Sequence, residues 1–145
     1  MATVELSFSA LPAHVRTARL VAAAVARRSG VDEALLDEVR LAVGEACSRA
    51  VDLHRRHCPG EPVSVRLEDG GPSFAVAVAD RAAVQAGTSD DMLEALTQDV
   101  DLDGEGLPAG VGLAVITGLV EDVEVDSSPS GAVVTMRWPV TEPAA

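Results

Sequence analysis

Apolar and polar positions alternate from Val4 to Ser9, and a period of two is the signature of a strand with one buried face. Pro12 comes next. At the first turn of a helix its fixed φ and missing donor do no harm, so a helix is predicted to open there. Val15, Ala18, Ala22 and Val25 form its apolar stripe, and Gly30 marks its end. A longer helix is predicted from about Asp32 to about His54, with Leu36, Val39, Val43, Cys47 and Ala50 at three- and four-residue steps. Glu45 and Arg49 fall off that stripe, on adjacent turns.

Pro59 and Gly60 break the helical pattern. Val63 to Leu67 and Phe74 to Val78 then alternate on either side of Glu68-Asp69-Gly70-Gly71-Pro72, which predicts a hairpin. Residues 82–109 carry seven carboxylates, from Asp90 to Glu105, and no basic side chain. A loop is expected over most of that stretch, with one helical turn at Met92 to Leu96. Gly110-Val111-Gly112 leads into a helix from about Leu113 to Leu119, and two strands, Val123 to Ser127 and Val133 to Trp138, flank a Ser128-Pro129-Ser130-Gly131 turn. Hairpins with helices grouped between them imply an α/β (α+β) two-layer sandwich, its mixed, mostly antiparallel sheet carrying helices on one face. Residues 1–145 read as a single domain without internal repeats.

Composition narrows the class. With 145 residues, 48% of them hydrophobic, the chain is long enough for one core. Aromatic residues make up only 2%, so stacking platforms for bases are not expected. The net charge is −12 and would repel phosphate backbones and anionic membranes, which points away from nucleic acid and towards a basic protein surface as partner. The same acids also serve as a solubilising surface. Cys47 and Cys58 have no metal-type spacing and read as free thiols. His54, His57 and Cys58 read as a polar C-terminal helix turn, and no metal site is expected. No apolar run approaches the about 18 residues of a membrane span, and no basic-then-apolar signal opens the chain, so a cytoplasmic location is expected.

Four segments in order carry a resemblance. Leu41-Ala42-Val43-Gly44-Glu45-Ala46-Cys47-Ser48-Arg49-Ala50-Val51 resembles the N-box of RsbW/SpoIIAB-type anti-sigma factors, small serine kinases of the Bergerat-fold GHKL ATPase superfamily. Val76-Ala77-Val78-Ala79-Asp80 resembles the strand into the G1 box, and Gly110-Val111-Gly112-Leu113-Ala114-Val115-Ile116 resembles the G2 box. The tail from Glu121 to Pro129 is similar to that family's as well.

The resemblance implies roles. Glu45 would be the general base towards a serine of an anti-anti-sigma (STAS-type) protein, and Asp80 would read the adenine amino group. Gly110 and Gly112 would let backbone amides at a helix N-terminus meet phosphate. Residues 82–109 would stand where the family has its ATP lid. A sigma factor and a homodimer partner are implied too.

The departures from the pattern concern the same site. Arg49 stands where the family has the Mg²⁺-binding Asn, and a guanidinium has five donors and no acceptor. Arg81-Ala82-Ala83-Val84 replaces a glycine-bearing loop, Ala132 replaces the adenine-side Thr, and the N-box His falls at Leu53, with His54 one residue out of phase. Mg²⁺ is therefore not expected, and ATP or ADP is expected to bind weakly, with Arg49 against a phosphate.

Each feature also has an ordinary structural reading. Glu45 and Arg49 at i,i+4 can form a surface ion pair of about 0.3–0.5 kcal/mol. Asp80 can end its strand in a turn, and the glycines can serve a tight loop-to-helix connection. The functional expectation is a regulator that binds a sigma factor, an anti-anti-sigma partner or both, with weakened or lost ATP and Mg²⁺ use. The alternative is an active ATP-dependent protein-serine kinase.

Overall fold

The computed structural model describes residues 2–82 and 109–140. Strand β1 (Ala2–Phe8) leads to helix α1 (Ala13–Ser29), a 3₁₀ turn (Glu33–Leu35) and helix α2 (Leu36–His57). Strands β2 (Val63–Asp69) and β3 (Ser73–Asp80) follow. Helix α3 (Ala109–Leu119) precedes strands β4 (Asp122–Ser128) and β5 (Gly131–Pro139).

The five strands form one sheet in the order β1-β2-β3-β5-β4, and every pairing among them is antiparallel. In β2 and β3 the inward positions are Val63, Val65, Leu67, Phe74, Val76 and Val78, all buried. Val134, Met136 and Trp138 continue that face on β5. The helices pack there, and the Trp138 indole N–H donates to Glu38 Oε2 of α2 at 2.8 Å, fixing the helix layer to the sheet. The opposite face presents Ser64, Arg66, Ala75, Ala77 and Ala79, and carries no helix among the described residues. This is the two-layer sandwich that the pattern predicts.

Helix ends obey local chemistry. Gly30 adopts φ 100°, and the amides of Gly30 and Val31 reach back to the carbonyls of Arg27 and Ala26, closing α1 in the left-handed turn that glycine tolerates best. Asp32 Oδ1 accepts from the Ala34 amide at 3.0 Å and opens the 3₁₀ turn, so α2 proper starts at Leu36, later than the expected Asp32. It also runs three residues beyond His54. Helix α3 starts at Ala109, four residues ahead of expectation, so Gly110 and Gly112 lie inside its first turn. The expected acidic loop and its turn at Met92 to Leu96 lie outside the described residues.

Candidate functional site

The second helix is enclosed more completely than its stripe predicts. It lies between α1 and α3 and over the sheet, so residues away from the sheet-facing positions are buried too. Arg49 is one of them, with only 3% of its side chain exposed. Its Nη1 donates to Asp80 Oδ2 at 3.2 Å, and Asp80 is as deeply enclosed, at 2%. The other carboxylate oxygen, Oδ1, accepts from the Ala82 amide at 3.1 Å. Each oxygen of Asp80 thus already has a donor. The Nε of Arg49 is buried without a partner among the described residues.

This corrects the expected pairing of Arg49 with Glu45. A guanidinium that is taken out of water gains more from a carboxylate that is equally enclosed than from one that water still screens. Glu45 is half-buried on the same helix. Burial pushes its carboxyl above the ordinary 4.5, and the nearby Arg19 guanidinium partly offsets that rise.

The end of β3 is held from two further sides. His54, expected in a polar helix end, is fully buried. Its Nε2 accepts from the Arg81 amide at 2.8 Å, and its Nδ1 lies 2.8 Å from the Glu61 carbonyl. An acceptor at Nε2 and a donor at Nδ1 describe one neutral tautomer. The imidazole therefore ties α2 to both the approach to β2 and the exit from β3. From the other side comes Gly131, at φ 138°, opening β5 against the same point; a Cβ there would overlap the Asp80 carbonyl oxygen. Ala132 stands opposite Asp80 in the strand register and is buried.

Arg49 and Asp80 thus meet where α2 contacts the end of β3, whereas Glu45, one turn back on α2, lies near Arg19 of α1. Gly110 and Gly112 supply the first turn of α3, which packs against α2. Arg49 offers a divalent cation no lone pair, and its Nη1 is already engaged by Asp80. The sequence does not mark His54 and Gly131 as supports of the end of β3. A glycine closing the Ser-Pro-Ser-Gly turn was the available signal for the second, and nothing local signalled the first.

Against this geometry the comparisons with known proteins are specific about family. Residues 8–138 match the histidine kinase-like ATPase domain. The chain belongs to that family. Its fold is shared with the RsbU and RsbW domains of Rv1364c from Mycobacterium tuberculosis, at a TM-score of 0.65 and 18% identity. That match covers 99% of this chain and 34% of the mycobacterial one, so the histidine kinase-like ATPase domain described here spans about a third of its structural neighbour. No curated protein matches the chain. No helix among the described residues of the domain is long and apolar enough to cross a membrane.

Proposed function

We propose that this histidine kinase-like ATPase domain is a cytoplasmic partner-switching regulator of transcription that binds a sigma factor, an anti-anti-sigma protein of the STAS type, or both, with little or no use of Mg²⁺-ATP. The Arg49–Asp80 ion pair carries the reading. In the family that this sequence resembles, the first position recruits the metal and the second reads adenine. Here the two side chains engage each other, Arg49 Nη1 donating to Asp80 Oδ2 across 3.2 Å. A donor-only group at the metal position does not fit Mg²⁺, and without the ion phosphoryl transfer loses its in-line clamp and charge neutralisation. Weak ATP or ADP binding at the first turn of α3, through Gly110 and Gly112, is compatible with this. The net charge of −12 suits a basic partner surface. The helix-free sheet face, with a groove of about 620 Å³ between Glu5, Ser64, Arg66, Ala77 and Val133, is where a second copy is proposed to pack.

One observation favours a protein-serine kinase instead. Glu45 is free of Arg49, and its raised carboxyl suits a general base.

The two readings separate when the purified chain is mixed with an anti-anti-sigma protein and ATP labelled at the γ-phosphate. The regulator is expected to co-elute with its partner from a sizing column without transferring label. Stoichiometric, Glu45-dependent labelling of a partner serine would establish the kinase.

A further inference from the structure

Seven of the eleven arginines lie within ion-pair distance of a carboxylate among the described residues. The four that do not are Arg16, Arg19, Arg28 and Arg55. Three of those four line a single groove of about 240 Å³ between α1 and α2, on the side away from the sheet. Arg16 and Arg19 come from successive turns of α1, and Arg55 comes from the last turn of α2. Ser48 and Asp52 also line it, and Asp52 lies 3.4 Å from the Arg56 Nε outside.

In a chain with 23 acidic residues, random placement would leave arginines beside acids, as it does with the other seven. Three guanidiniums without a salt bridge among the described residues share one concavity, with Asp52 in its wall and Glu45 near Arg19, and they outnumber those carboxylates in a volume suited to a compact anion. Helix α1 adds to the potential. Its first turn holds no acidic residue and its N-terminus, at Pro12, has no side-chain cap and borders the groove. Gly44 shapes the wall: a Cβ there would stand 2.8 Å from Arg19 Cδ, so the missing side chain is what lets the Arg19 stem lie across α2. Glycine inside a helix is unfavourable, which makes its presence at this contact informative.

We propose that this groove is a phosphate-binding site, separate from the nucleotide region at Asp80 and independent of the function proposed above. A single carboxylate occupies one guanidinium. A phosphate monoester carries close to two charges and three acceptor oxygens, enough to engage all three arginines at once. Free phosphate and a phosphorylated side chain share this chemistry.

Amide chemical shifts, followed during titration with inorganic phosphate and separately with a phosphoserine peptide, test the site. Saturable shifts are expected at Val15, Ser48 and Asp52. Arg19→Ala and Arg55→Ala should each weaken binding by about tenfold, and Gly44→Ala should weaken it by displacing the Arg19 stem. Arg28→Ala, which removes the unpaired arginine outside the groove, should leave it unchanged. Tighter binding of the peptide identifies a modified side chain as the source, and equal binding identifies free phosphate. The proposal is overturned if no saturable shifts occur, if they map to the first turn of α3, or if Arg28→Ala weakens binding as much as Arg19→Ala.

Discussion

Arg49 of α2 and Asp80 of β3 meet across 3.2 Å with almost no solvent between or around them. An ion pair in such a place is an obligation more than a bonus, because each partner stabilises the other's burial. Arg49→Ala should therefore destabilise the fold by about 3–5 kcal/mol, since it strands a buried carboxylate. Arg49→Met combined with Asp80→Leu should cost far less than Arg49→Ala alone. Urea titrations of the two variants against the parent measure both.

His54 makes a second prediction. His54→Ala removes the acceptor for the Arg81 amide and the partner of the Glu61 carbonyl, and opens a cavity where the ring was. The loss should be about 2–4 kcal/mol, and the Arg81 amide should exchange with solvent faster than in the parent.

At Gly131 the backbone is left-handed and the missing Cβ clears the Asp80 carbonyl. Gly131→Ala is expected to cost about 3 kcal/mol or more. Gly71→Ala, left-handed (φ 81°) but with nothing within 4 Å of an added Cβ, should cost only about 1 kcal/mol. The difference in midpoint between the two variants isolates the close approach.

Much of this was legible beforehand, and the exceptions have a common cause. Strands came from alternation, and the α1 stop came from a glycine whose φ of 100° the structure bears out. Those signals are local. Arg49 finds Asp80 from 31 residues away, and a helical wheel placed it off the buried stripe because it had no knowledge of α1 and α3 on either side. Its position near a helix end suggests a polar, exposed His54, whereas its partners lie at 61 and 81. Gly110 and Gly112 suggested a loop by composition, and tertiary packing carried the helix through them.

The raised Glu45 carboxyl fixes a sign for pH dependence. The folded state holds this proton more tightly than the unfolded chain does, so its contribution to stability is present at low pH and lost as pH rises from 4.5 through the folded value. Glu45→Gln should therefore gain stability relative to the parent above that range and not below it. Denaturation midpoints at pH 4 and pH 8 give the comparison. A gain equal at both would contradict it.

The two thiols should also differ. Burial pushes Cys47 up to about 12; Cys58, half-buried just past the end of α2, is also raised, by partial burial and the Glu61 and Asp80 carboxylates, but stays within reach of solvent. A thiol reagent at pH 8 is expected to titrate Cys58 in the folded protein and Cys47 only after unfolding.

The proposed replacement of a metal by the Arg49 guanidinium is reached most directly by calorimetric titration with ATP, in the presence and absence of Mg²⁺. The parent chain is expected to bind ATP weakly or not at all, with no gain from Mg²⁺, and Arg49→Asn is expected to introduce a metal-dependent gain. Tight binding by the parent that requires Mg²⁺ would contradict the claim.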